Sequence, residues 1–157
     1  MPMRTRTRFA TALLLSPALT ACVNPAEDDA VEIGVDRVTL EQEAQGAGVP
    51  MLVPERLPSG YQMLDVSSSR SADGHVGVRE FTISLIEGEQ TSVIFTCVQG
   101  KGAQLCDGDE EGKRSLRRVV DSAEVVIRWE ASDSAVDTTF WREVPFTTEL
   151  DTVDWLT

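Results

Sequence analysis

Glu80-Phe81-Thr82-Ile83-Ser84-Leu85 alternates polar with apolar side chains, inside a longer run from Val76 to Ile86. A period of two places Phe81, Ile83 and Leu85 on one side of an extended strand and Glu80, Thr82 and Ser84 on the other. Strands that are apolar on one side only belong to antiparallel sheets with one wet face.

The neighbouring segments read the same way. Ala72-Asp73-Gly74-His75 is a turn signal, and Tyr61 to about Ser69 forms the strand before it. Beyond the run, Gly88 marks a turn, and Thr91 to Val98 follows with Val93, Phe95 and Cys97 on one face. Gln99-Gly100-Lys101-Gly102 turns the chain back towards Cys106, Asp107 to Arg114 is a polar loop, and Leu116 to Val120 is a short strand. Val125, Ile127 and Trp129 alternate with Glu124, Val126 and Arg128 in a stronger one. Ser132 to Ser134 then turns into Val136 to Val144, which continues the hairpin series.

The flanks are different. Thr39 followed by Gln42 fits a capping box, and Leu40, Ala44 and Ala47 fall on one side of a short helix that Gly46 and Gly48 stop. Prolines at 50, 54 and 58 forbid a helix over the next segment, which crosses extended. Leu57-Pro58-Ser59-Gly60 suits a type I turn. After Pro145, Thr148 is placed to cap a last short helix carrying Leu150 and Val153, with Leu156 or Trp155. The expected fold class is α+β: a curved antiparallel sheet of about five or six strands, with short helices near both ends packing on one face. At 157 residues one domain is expected, long enough to bury a real core.

The chain begins with Arg4, Arg6 and Arg8, then an apolar run from Phe9 to Leu19 that is short for a span of roughly 20 residues. A basic start, a brief apolar run and small residues before a cut mark a secretory signal. Here the run ends in Leu19-Thr20-Ala21-Cys22, which resembles the lipobox of bacterial lipoproteins. The resemblance implies that residues 1–21 are a signal peptide and that Cys22 takes a diacylglycerol and becomes the first residue. Residues 22–37 would then be an acidic tether and 38–157 the domain. The location implied is extracytoplasmic, lipid-anchored at the cell membrane, with the lipid on Cys22 as the membrane contact. An ordinary secretory signal with an incidental Cys22 is the other reading.

Without its three leading arginines the chain carries 11 basic against 26 acidic side chains, a net charge of −15. Such a surface repels nucleic acid and anionic headgroups, so neither is an expected partner. With Cys22 lipidated, Cys97 and Cys106 remain, and an even pair in an oxidising compartment reads as a disulfide. The loop closed is about ten residues, worth roughly 2–3 kcal/mol in the chain-entropy account. The spacing is not Cys-x-x-Cys, so a structural staple is expected rather than a redox or zinc site.

A short helix after Thr39, then Val53-Pro54-x-x-Leu57-Pro58-x-Gly60-Tyr61, then strands including a Trp-bearing one and a closing helix resembles a bacterial family of uncharacterised domains. Such domains occur in lipoproteins and in lipoprotein-carrier-like and sigma-factor-regulator-like proteins. The resemblance runs from about Thr39 to Leu156, apart from the Cys97/Cys106 pair and the charged 107–114 loop. It implies a fold and a location and brings no catalytic residues.

Chemistry is sparse. His75 is the only histidine and lies on a turn, without a metal partner or a nucleophile motif. Asp107, Asp109, Glu111 and Gly112 fit the first, third, fifth and sixth places of an EF-hand-like calcium loop, but the twelfth is Arg118. A solvated acidic loop is the plainer reading, and no metal or other cofactor is expected. Arg114, Arg117 and Arg118 follow, either as local charge balance or as a docking patch for an acidic partner. Trp129, Trp141 and Trp155 fit a core or a binding face. The expected role is a monomeric, non-enzymatic binding or sensing module with a possible envelope protein partner. The alternatives are a carrier of lipid or another apolar ligand, or a carboxylate-based hydrolase.

Overall fold

The computed structural model describes residues 34–86, 91–108 and 111–156. Cys22, the signal-like start, most of the acidic stretch after it, the turn at Gly88 and Asp109 lie outside the described residues. In chain order the elements are α1 (Arg37–Ala44), β1 (Val53–Pro54), β2 (Tyr61–Arg70), β3 (Val76–Leu85), β4 (Val93–Gly100), β5 (Lys113–Val120), β6 (Ala123–Glu130), α2 (Thr138–Glu143), β7 (Phe146–Thr147) and a 3₁₀ turn (Leu150–Thr152).

Five strands form an open antiparallel sheet in the order β2-β3-β4-β6-β5, so the chain leaves β4, passes outside β6 and returns as its neighbour. The β2–β3 turn is closed by the Ser71 N–H donating to His75 O and the Gly74 N–H to Ser71 O, both at 2.9 Å. Gly74 takes φ 82°, a left-handed conformation that glycine adopts without cost. The Ser71 hydroxyl, and after it the His75 N–H, hold the Asp73 carboxyl below its ordinary range. A second sheet pairs β1 with β7, which tethers the proline-rich crossing to the end of the chain. There the Trp155 Nε1–H donates to Pro54 O at 2.9 Å.

One side of the large sheet carries the core. Met63 and Val66, Phe81 and Ile83, Ile94 and Val98, and Val125, Ile127 and Trp129 lie in one buried cluster with Leu40 of α1 and Trp141 of α2. Arg79 shares that inward position, two residues before Phe81, and is 0% exposed. Its Nε–H donates to Val49 O at 2.8 Å and an Nη donates to Ser68 Oγ at 3.0 Å. The same Nη also donates to Glu43 O and the second Nη to Ala44 O, the last carbonyls of α1. Burial, and then the nearby Arg70 charge, lower the Arg79 pKa, while Glu43 opposes them. A cation at a helix C-terminus meets the negative end of the helix dipole and the orphan carbonyls together. The segment after α1 is then drawn onto β3: the Val49 N–H donates to Val76 O and the Val76 N–H to Ala47 O, at 2.9 and 2.8 Å. A Cβ on Gly48 would stand 2.3 Å from Val76 O, so this approach needs glycine.

Several expectations are corrected. The α1 cap is Asp36, whose Oδ1 accepts from the Thr39 N–H at 2.7 Å, so the helix starts before Thr39. The turn into β2 lies one residue later than expected, with Tyr61 N–H donating to Pro58 O and Gly60 at φ 79°, the third position of a type II turn. On β4, Val93, Phe95 and Cys97 share one face as expected; it is the outer one, and Ile94 and Val98 face the core. Residues 113 and 114, read as loop, open β5. Within Val136 to Val144, residues 138–143 are helical because Asp137 caps them, accepting from Thr139 N–H at 2.9 Å and Phe140 N–H at 3.1 Å. The closing element is a 3₁₀ turn without a side-chain cap at its start, and Thr147, not Thr148, accepts the Glu149 N–H.

Arg79→Ala strips donors from buried carbonyls and leaves a void, so urea titration is expected to show a loss of about 3 kcal/mol. The exposed Arg142→Ala control should stay within about 0.5 kcal/mol. Asp36 gives a pH dependence, because the Thr39 hydrogen bonds lower its folded pKa. Its contribution is present above the ordinary carboxylate pKa and is lost as pH falls through the lowered value. Hydrogen exchange at the Thr39 amide should therefore lose protection in acid, and Asp36→Asn should flatten that response.

Candidate functional site

The sheet face opposite the core carries a smaller buried cluster, Val78, Cys97, Cys106 and Val126, built where β3, β4 and β6 lie side by side. Cys97 and Cys106 are disulfide-bonded, with Cα atoms 5.8 Å apart, and each is 2% exposed. The bond pulls the loop after β4 across this outer face.

Side chains of the sheet complete the attachment. Gln99 is fully buried: its Nε2 donates to Ala103 O and to Glu124 Oε2, and its Oε1 accepts the Cys106 N–H, each at 2.7 Å. Arg117 of β5 donates to Asp107 Oδ1 and lies 3.6 Å from Glu124 Oε2. Asp107 and Glu124 are thus held by one guanidinium. The Gln99 amide replaces the water that its neighbours would otherwise require.

The same loop builds one wall of an open groove of about 590 Å³ at the β2–β3 end of the face. Ser69, Arg70, Ser71, His75 and Glu80 supply its polar groups, and Val78 and Leu105 its apolar ones. Leu105 is 66% exposed and Phe95, farther along the face, is 39% exposed with Lys113 Nζ 4.9 Å above its ring. His75 stays on its turn, where its N–H lies 3.3 Å from Asp73 Oδ1.

The sequence-predicted residues are distributed as follows. Cys97 and Cys106 meet. Asp107 faces Arg117, Glu111 is exposed just before β5, and among the described residues no three His, Cys, Asp or Glu side chains are grouped to hold a metal. Arg114, Arg117 and Arg118 share β5 but not one face, because a strand alternates its side chains. Arg114 and Arg118 lie on the core-facing side with Leu116, and Arg117 lies on the outer face. Arg118 donates to Trp141 O at 3.2 Å and to Val144 O, with its guanidinium carbon 5.3 Å from the Phe146 ring centroid, and burial lowers its pKa. Gln99 and Leu105 were not singled out by the sequence. A polar residue between a cysteine-bearing strand and a turn was the only signal for Gln99.

With both sulfurs buried, dithiothreitol is expected to leave the folded disulfide intact and to cleave it only in denaturant, as thiol labelling would show. Replacing both Cys97 and Cys106 by Ala should cost about 2–3 kcal/mol and remove exchange protection from the Cys106 amide, leaving the β2–β3 amides protected.

Compared with protein-family models, with curated proteins and with solved structures, the chain matches none.

Proposed function

We propose that this chain is a lipid-anchored extracytoplasmic module that binds or senses a partner at the cell envelope and works without catalysis. The observation that carries the reading is the pairing of Cys97 with Cys106, which leaves Cys22 as the odd cysteine at the end of the signal-like run. Disulfides persist in oxidising compartments, and an unpaired cysteine behind Leu-Thr-Ala is the residue a lipoprotein acylates.

The arrangement of surfaces supports binding over transport or hydrolysis. Phe81, Ile83, Ile94 and Ile127 are at most 2% exposed. The apolar face that a carrier would open is packed, and we take the short helices carrying Leu40 and Trp141 to cover it. The outer groove is open to water, so its histidine and carboxylate lack the enclosed setting in which general acid–base groups gain their strength. A chain of net charge −15 beyond its three leading arginines is held away from anionic headgroups by repulsion, which leaves its faces free for a protein partner.

Cys22→Ser tests the anchor. The unaltered chain should sediment with carbonate-washed membranes and the variant should appear in the soluble extracytoplasmic fraction. A variant that still sediments overturns the lipid anchor.

A further inference from the structure

We propose that the outer edge of β5 receives an extended acidic polypeptide segment, which joins the large sheet as a sixth strand. The proposal rests on the binding-module reading and names its surface and the chemistry of the partner.

β5 is the last strand on its side of the sheet. No strand of the described residues lies beside its second edge. At the opposite end, Val35 N–H already donates to Met63 O of β2 at 2.8 Å, beside a bulge. β5 has no bulge: all eight residues pair with β6 in unbroken register. Long, regular, unpaired edges are templates for strand addition.

The register tells which groups face outward. The two-residue turn Asp121-Ser122 closes on the pair Val120 and Ala123, so that pair is hydrogen-bonded and the pattern alternates from it. Val120, Arg118, Leu116 and Arg114 therefore direct their backbone groups to β6. The outward N–H and C=O groups belong to Lys113, Ser115, Arg117 and Val119.

Charge selects the guest. β5 reads Lys113-Arg114-Ser115-Leu116-Arg117-Arg118-Val119-Val120, with four cations and no acid, in a chain of strongly negative net charge. Arg117 is balanced by Asp107 and Glu124. Arg118 is met by the carbonyl oxygens at the end of α2 rather than by a carboxylate among the described residues, and Arg114 is exposed. A second copy of β5 would bring cations against cations. A guest with two acids four residues apart places them beside Arg114 and Arg118, with an apolar residue between them beside Leu116. On the other face Val119, 56% exposed, offers apolar contact.

The test uses the purified full chain and a labelled peptide of threonine and valine carrying two glutamates four positions apart, with a lysine-for-glutamate peptide as control. Fluorescence anisotropy should show binding of the glutamate peptide alone, weakening as salt is raised. Ser115→Pro removes an outward N–H that the β5–β6 ladder does not use, so the fold should persist and peptide affinity should fall at least about tenfold. Should that variant fail to unfold cooperatively, Arg114→Glu serves instead: it should weaken the glutamate peptide by about tenfold and strengthen the lysine one. Equal binding of the two peptides, no binding at millimolar peptide, or full affinity in a folded Ser115→Pro chain overturns the proposal. So does a dimer in sedimentation that Ser115→Pro dissolves, which would make the guest a second copy. Membrane fractionation of Cys22→Ser is independent of all these results, so loss of the β5 site and loss of the anchor are told apart.

Discussion

The guanidinium of Arg79 holds together parts of the chain that would otherwise have little reason to meet. A charge removed from water is costly unless donors and acceptors around it are fully matched. Arg79 finds its acceptors in the end of α1, the Val49 carbonyl and the Ser68 hydroxyl. Those acceptors come from three separate segments, so the arginine is satisfied only when all three have arrived. An eight-residue helix is too short to persist by propensity, and its C-terminal carbonyls need partners. Arg79 supplies them, and Arg70 adds a second cation, donating to Gln45 O at 2.9 Å. Leu40 brings apolar burial to the same place, so helix and sheet stabilise each other.

The outer face is organised by a different principle. A sheet this small cannot bury both sides with its own strands, and the loop after β4 serves as a partial cover. The disulfide limits the loop in the unfolded state, but it does not by itself decide where the loop lies. The Gln99 amide and the Arg117 ion pairs do that, because each fits only one path across β4, β6 and β5. A covalent tie and a polar network therefore act on the same segment, one through the unfolded chain and the other through the folded one.

Much of this was legible in the residues. Strand alternation located β2, β3 and β6, and the cysteine count located the staple. Alternation also marks Arg79, since a charged residue in step with Phe81 and Ile83 must either be satisfied inside or break the pattern. What stayed hidden depended on contacts distant in sequence. α2 was missed because Val136 to Val144 is too short for its period to separate from a strand, and Asp137 reads as a turn residue until its two amide bonds are seen. β5 was shortened because arginines and a serine look like loop, although an edge strand tolerates them. The arginine triplet was read as one patch because Arg114 was assigned to the loop and the strand after it was begun only at Leu116. As a strand, it separates Arg117 from the other two.

That separation bears on function. A loop carrying Arg114, Arg117 and Arg118 would present a diffuse positive patch able to meet an acidic surface in many ways. A strand presents them at fixed heights and on fixed sides, with Arg117 already engaged and Arg118 anchored to the end of α2. What remains for recognition is an ordered backbone edge with charge on one side of it. Geometry of that kind discriminates by extended conformation and by spacing as well as by sign. In an acidic domain, a single basic edge excludes copies of the same chain and admits an acidic strand, so solubility and recognition follow from the same eight residues.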